Sequence, residues 1–104
     1  MMKRLEFLGD SLEQLRDFPE AARKQAGVQL HKVQLGLDPS DWKPMTMVGP
    51  GVREIRIRDE AGAFRVLYVA KQDDAVYVLH AFQKKTQKTA KNDLDLAVSR
   101  MRQI

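Results

Sequence analysis

The apolar and polar positions at the start of the chain predict a short strand followed by a helix. The stretch from Lys3 to Leu8 is short, mixed and apolar enough for an opening strand. Asp10 and Glu13 have the spacing of a capping box, in which each side chain bonds the other residue's backbone, so we expect a helix to begin there. The apolar face of this helix carries Leu12, Leu15 and Phe18.

A longer second helix is predicted directly after the first. Pro19 ends the first helix and suits the first turn of the next, because a first-turn residue needs no backbone N–H donor. From Glu20 to Leu35 apolar residues recur every three or four positions, which indicates an amphipathic helix of about four turns. These positions are Ala22, Ala26, Leu30, Val33 and Leu37. Gly36 is expected to cap this helix in the left-handed conformation, with Pro39 following, and the two helices form a hairpin.

The second half of the chain predicts three strands. Residues 52–58 alternate between two faces, and Ile55 and Ile57 share one of them. The other face carries Glu54, Arg56 and Arg58. Residues 63–70 and 75–82 are nearly continuous apolar runs, which are typical of central strands buried on both faces.

Turns and a final helix complete this half. Residues 59–62 and 72–74 are predicted hairpin turns, and Gly62 can take the positive φ that such a turn uses. Thr89 is expected to cap a helix at its N-terminus. The buried face of that helix carries Leu94, Ala97, Val98 and Met101.

These elements predict one α+β domain over residues 1–104, in the order β-α-α-β-β-β-α. A small twisted antiparallel sheet packs on the N-terminal helical hairpin, and a C-terminal helix follows. The opposite face of the sheet is expected to stay partly open. Residues 38–51, rich in proline and glycine, are predicted to form an irregular loop.

Composition excludes several classes of protein. The chain has no cysteine and two isolated histidines, so neither a disulfide framework nor a zinc site is expected. No apolar run approaches the roughly 20 residues that span a bilayer. We therefore expect a cytoplasmic protein that needs no metal and no small-molecule cofactor.

The net charge of +4 is unevenly distributed. Residues 1–52 hold seven Lys/Arg and seven Asp/Glu, whereas residues 53–104 hold eleven Lys/Arg and seven Asp/Glu. A basic half on a neutral scaffold is typical of a surface that binds an anion such as RNA. An acidic partner protein is the alternative, and both can bind the same chain.

The segment His80–Thr89 joins an apolar strand end to a run of cations. The cations here and just beyond are Lys84, Lys85, Lys88 and Lys91. A histidine, an aromatic ring and several cations at a strand end suit single-stranded RNA, whose phosphates bind cations and whose bases stack. The alternative is a solubilising corner between a strand and a helix.

Three residues of the second half have both a structural and a functional interpretation. Arg65 lies inside an apolar strand and needs a partner, either Glu54 on the neighbouring strand or a phosphate. His80 is either a satisfied core residue or a group for proton transfer. Phe82 either packs in the core or stacks on a base. A site of cations and imidazole without paired carboxylates suits phosphoryl chemistry on RNA, which supplies its own 2′-hydroxyl nucleophile.

Five segments together resemble the RelE/ParE toxin superfamily of type II toxin–antitoxin modules, and more narrowly its HigB-like, phage-derived subfamily. The segments are Asp17–Pro19, Val33–Pro39, Glu54–Arg56, Phe64–Val69 and Leu79–Thr89. They occur in the family's order and extend the resemblance over most of the chain.

The resemblance implies an mRNA endoribonuclease that acts on the ribosome, inhibits translation and is held inactive by an antitoxin, expected to be a helix-turn-helix protein. It implies that Arg65 holds the scissile phosphate, that Lys84 or Lys85 serves the leaving oxygen, and that Arg56 or His80 assists deprotonation of the 2′-hydroxyl. The further RNA-binding residues expected are Arg58, Phe82, Lys88 and Lys91.

The chain also departs from the family pattern. No tyrosine follows Tyr77, so stacking of a base on a C-terminal tyrosine is not expected, and Ala90 stands where the subfamily usually has proline.

The sequence leaves two alternative functions open. One is a ParE-like toxin directed against gyrase, and the other is a non-enzymatic, phage-derived protein that inhibits its host by binding a partner through the basic face.

Overall fold

A computed structural model describes residues 2–71 and 75–104, and the predicted turn at 72–74 lies outside them. The helices are α1 (Ser11–Arg16), α2 (Glu20–Gln34) and α3 (Lys91–Met101). The strands are β1 (Arg4–Phe7), β2 (Trp42–Pro44), β3 (Val52–Asp59), β4 (Gly62–Ala70) and β5 (Ala75–Lys84). They form one sheet in the order β1-β5-β4-β3-β2. None of the helices in the described part of the chain combines the length and the apolar character that a bilayer crossing requires.

The predicted α+β architecture is confirmed, with two changes in the sheet. Strands β2 to β5 pair antiparallel, but β1 pairs parallel with β5, so the sheet is mixed rather than wholly antiparallel. Strand β2, inside the predicted loop, was missed because three residues are too few to show an alternating pattern. Pro44 fits this position, because β2 is an edge strand whose ladder is short.

Two apolar cores lie on the two faces of the sheet. The first joins helices α1 and α2 to the sheet through residues such as Phe18, Ala26 and Ile55. The second joins α3 and the loop after β2 to the opposite face through residues such as Met45, Leu67 and Ala97. The predicted buried positions of α2 are confirmed, except that Leu37 lies beyond the helix and is exposed. Gly36 takes the expected left-handed conformation, with φ of 84°.

A bulge in β5 decides which side chains share the second face. Leu67 pairs with His80 but Tyr68 pairs with Val78, so Leu79 is an extra residue with no partner of its own. An extra residue shifts the alternation of all the side chains beyond it. As a result Phe82 lies opposite Arg65 in the ladder, on the face that carries the second core.

Both predicted side-chain caps are wrong, because tertiary partners take the side chains. Neither α1 nor α3 has a side-chain cap hydrogen bond. Asp10 instead accepts a 2.5 Å hydrogen bond from the guanidinium of Arg100, which lowers the pKa of Asp10. Thr89 donates from Oγ1 to Glu54 Oε2 at 3.1 Å, and Ala90 occupies the N-cap position of α3.

Gly9 is required where α1 meets the Arg100 side chain. Its φ is 54°, and a Cβ there would lie 2.5 Å from Arg100 Nε. We expect Gly9→Ala to lower the free energy of unfolding by at least about 1–2 kcal/mol, because it combines left-handed strain with a clash. Gly27→Ala is the matched control, because a Cβ there meets nothing within 4 Å. It should raise the free energy of unfolding by about 0.5–1 kcal/mol in urea denaturation. Equal effects of the two substitutions would contradict this account.

Candidate functional site

A shallow groove of about 310 Å³ lies on the second face of the sheet, beyond the apolar core. It is lined by Arg56, Arg58, Ala63, Arg65, Lys84, Thr86 and Gln87, and we call it the basic groove. Arg56 and Arg65 are direct partners in the β3–β4 ladder, where like charges repel each other. Four cations around one concavity, with no acid in its lining, form a surface suited to an anion.

Glu54 lies behind the basic groove and supplies the counter-charge. Its side chain is 0% exposed and that of Arg65 is 3% exposed, and Arg65 Nε lies 3.3 Å from Glu54 Oε1. Lys43 Nζ approaches the same oxygen at 3.9 Å. The predicted ion pair between Arg65 and Glu54 is therefore confirmed, and one carboxylate serves cations from β2 and β4.

The buried pair is incompletely hydrogen-bonded. Within the described residues, Arg65 Nε and Glu54 Oε1 make no hydrogen bond, while an Arg65 terminal nitrogen donates to the Phe64 carbonyl at 3.0 Å. Burial lowers the pKa of Arg65, and the charge of Glu54 opposes that shift. The attraction between the two is therefore Coulombic more than directional, which leaves Arg65 with donor capacity at the edge of the groove.

Lys84 stands at the opposite wall of the groove and has an altered acidity. Its pKa is lowered by partial burial first, and then by the positive charge of Arg65, with Lys43 and Arg56 acting in the same direction. Glu54 opposes the shift. A lysine with a lowered pKa gives up its proton more readily, which is the property of a general acid.

His80 does not line the basic groove. It is 4% exposed; its Nε2 lies 2.7 Å from Asp93 Oδ1 and its Nδ1 lies 3.4 Å from an Arg100 nitrogen. Its ring stacks on Phe82, with centroids 5.1 Å apart. Phe82 is itself buried in the second core, at 7% exposure. These are the contacts of satisfied core residues, so the geometry supports the packing interpretation of His80 and of Phe82. The predicted roles of His80 in catalysis and of Phe82 in RNA binding stay predictions that this geometry does not support.

The remaining predicted residues lie outside the basic groove. Lys85 is exposed and lines a neighbouring concavity with Phe82 and Ala90. Lys88 is exposed and lines a third concavity, while Lys91 begins α3 at the surface.

Arg100 is a buried residue that sequence reasoning missed. One guanidinium nitrogen donates to the Leu79 carbonyl at 2.9 Å and another to Asp10, so Arg100 fastens α3 to β5 and to the start of α1. The signal was its spacing: Arg100 lies three residues after Ala97, within the apolar face of α3. A cation on a buried helix face predicts a carboxylate opposite.

Comparison with known proteins now identifies the family. The profile of the family described as phage-derived protein Gp49-like matches residues 13–102. The chain belongs to this family. Among curated proteins, no sequence relative of this Gp49-like protein is found.

The fold of this Gp49-like protein is that of a RelE toxin. It is similar to a solved structure of an E. coli toxin RelE mutant in the free state, with a TM-score of 0.73 and 22% sequence identity. The match covers 97% of this chain and 99% of the other. The predicted resemblance to the RelE-type toxins is thus confirmed at the level of the fold, and the narrower HigB-like assignment stays a prediction.

We expect Glu54→Ala to lower the free energy of unfolding by about 3–5 kcal/mol, because it leaves Arg65 buried without a counter-charge. Adding Arg65→Ala should cost less than the sum of the two single substitutions, because the pair is then removed together. Urea denaturation of the four proteins of this cycle measures the coupling. Lys43→Ala is the control and should cost less than about 1 kcal/mol, because its side chain is 44% exposed. Additive single and double substitutions would contradict a coupled pair.

Proposed function

We propose that this protein is the toxin of a type II toxin–antitoxin module and that it cleaves mRNA on the ribosome, without a metal ion, and so stops translation. The observation that carries the proposal is the basic groove, in which Arg56, Arg58, Arg65 and Lys84 surround a concavity without acids. The RelE-like fold and the membership of a phage-derived family support it. Its proposed place of action is the bacterial cytoplasm.

The groove suggests how the phosphate is held. Arg65 and Arg56 are neighbours across the ladder, so their guanidinium groups can bind two oxygens of one phosphate. Glu54 fixes the Arg65 side chain from behind, and Arg58 extends the cationic surface toward the adjoining phosphate. These charges stabilise the extra negative charge that develops on phosphorus in the transition state.

The reaction we propose is attack by the RNA's own 2′-hydroxyl. The 2′-oxygen bonds to phosphorus, the bond from phosphorus to the 5′-oxygen breaks, and the products are a 2′,3′-cyclic phosphate and a 5′-hydroxyl. Lys84 donates a proton to the departing 5′-oxygen, for which its lowered pKa suits it. The 2′-hydroxyl loses its proton to water, with Arg56 stabilising the anion, because the groove lining holds neither imidazole nor carboxylate.

We further propose that a cognate antitoxin, a helix-turn-helix protein, holds this toxin inactive. The excess positive charge of residues 53–104 supports an acidic segment in that partner. Blocking the basic groove would exclude RNA directly.

Loss of two groove cations should abolish toxicity. We expect induced wild-type protein to arrest bacterial growth and to produce new mRNA ends within reading frames, detected by primer extension. Arg56→Gln combined with Arg58→Gln should reduce both at least about 100-fold, because phosphate binding and charge stabilisation are lost together. Arg16→Gln combined with Arg23→Gln is the matched control, since it removes two exposed charges from helices that pack on the opposite face of the sheet and do not line the groove. Growth arrest with intact mRNA would sink the nuclease proposal and favour a gyrase target, and arrest that survives the groove substitutions would remove the groove from the mechanism.

Lys84 should set the alkaline limit of cleavage. Below the pKa of Lys84 its ammonium group can donate a proton, and above that pKa the cleavage rate falls. Because the pKa of Lys84 is lowered, the rate should fall at a lower pH than it would with an ordinary lysine. Lys84→Arg keeps the charge but cannot donate. It should slow cleavage on programmed ribosomes by about 10²–10⁴-fold and remove the alkaline fall. An unchanged pH profile in Lys84→Arg would assign the proton to another group.

A further inference from the structure

A second concavity of about 220 Å³ lies beside the basic groove, between the loop after β2 and the segment before α3. Its apolar lining is Met45, Met47 and Leu94, and its rim includes Lys43, Lys88 and Thr89. We call it the methionine slot. Gln87 lines both the slot and the basic groove, so the two are neighbours at the surface.

We propose that the methionine slot binds a nucleobase next to the cut, from the same RNA strand whose phosphate occupies the basic groove. This inference rests on the proposed function. It gives the slot a single-stranded RNA base as ligand, recognised by apolar contact with its flat face and by the cationic rim that attracts its backbone.

The walls of the slot are fixed to the rest of the site. Met45 is 2% exposed, and its backbone N–H donates to the Val52 carbonyl at 2.8 Å, which ties it to β3. On the other wall, Thr89 Oγ1 donates to Glu54 at 3.1 Å, and Leu94 packs against the second core. Because these walls are already in place, binding of a planar ring does not have to offset the entropy cost of ordering them.

Glu54 joins the slot to the groove. Its Oε2 accepts from Thr89 in the slot rim, while its Oε1 lies 3.3 Å from Arg65 in the groove lining. Lys43 of the slot also approaches Oε1, at 3.9 Å. One carboxylate therefore lies between a phosphate-binding wall and an apolar cavity, so the two sites are neighbours, as a phosphate and an adjoining base are in one RNA strand.

Met47 is the exposed part of the slot. Its side chain is 67% exposed, the largest exposure of any large apolar side chain in the described part of the chain. Methionine sulfur makes favourable contacts with aromatic rings, and the unbranched side chain adapts to rings of different size. Phe82, the aromatic predicted to stack on a base, is 7% exposed and stacks on His80, so Met47 offers far more accessible apolar surface than Phe82 does.

The charge of the rim favours RNA over a protein segment as the occupant. The slot lining contains two lysines and no acid, and the basic groove adjoins it. A base brings its own phosphates to these cations. Contact through methionine and leucine carries no hydrogen-bond code, so we expect the slot to accept every base, with purines held more tightly because they present a larger face.

The test measures binding to ribosomes programmed with an mRNA that carries 2′-O-methyl groups around the cut and so stays intact. We expect Met47→Ala to weaken binding about 2- to 10-fold, the range for loss of one contact between a methionine sulfur and an aromatic ring. Leu35→Ala is the control, because Leu35 is a 52% exposed apolar residue at the C-terminal end of α2, which packs on the opposite face of the sheet, and it should leave the affinity unchanged.

An abasic nucleotide then locates the base. Placed in turn at each position flanking the cut, it should weaken wild-type binding at one position and leave Met47→Ala unaffected there. Two results would overturn the proposed base-binding slot: an abasic nucleotide that weakens binding equally in both proteins at every position, or an unchanged affinity of Met47→Ala. If the wild type still cleaves unmodified mRNA in that case, the proposed nuclease activity stands without the slot. Unchanged RNA affinity with altered self-association of Met47→Ala would make a second copy the occupant and overturn the proposal. Absence of wild-type binding and cleavage would instead overturn the proposed function itself.

Discussion

A fully buried carboxylate among cations is the interaction on which the second face of this protein depends. Glu54 lies at 0% exposure and faces Arg65, which is buried by the same packing. Burying either charge without the other would cost several kcal/mol of folding free energy, so each residue can be buried only because the other is present. The pair stands between the apolar core under α3 and the basic groove, and it fixes the guanidinium at the groove edge. The pair also acts on Lys84, whose pKa is lowered first by partial burial and then by the charge of Arg65, while Glu54 opposes the shift.

The bulge at Leu79 is the second constraint, and it acts through geometry. Tyr77 pairs with Val69 before the bulge, and Phe82 pairs with Arg65 after it, although strict alternation would place Phe82 on the opposite face from Tyr77. One extra residue therefore moves the whole strand end, including Lys84, onto the face that carries Arg65. Without it, Lys84 would point toward the helical hairpin and the groove would lose a wall.

The sequence predicted what depends on local periodicity and on the need to pair a buried charge. Alternation in β3 and the helical spacing of Ala22, Ala26 and Leu30 were sufficient for the main elements, and Arg65 inside an apolar strand required a partner such as Glu54. What escaped prediction depends on tertiary contact. The side chains of Asp10 and Thr89 have good capping chemistry, but Arg100 and Glu54 compete for them. The parallel pairing of β1 and the bulge likewise leave no local signature.

We propose that the basic groove holds an RNA phosphate while the RNA's own 2′-hydroxyl displaces the 5′-oxygen. The most direct measurement is the chemical state of the ends that purified protein leaves on mRNA in programmed ribosomes. We expect a 2′,3′-cyclic phosphate and a 5′-hydroxyl, and no cut when the nucleotide before the cut is a 2′-deoxynucleotide. A 5′-phosphate end, or cleavage that persists at the deoxynucleotide, would contradict it.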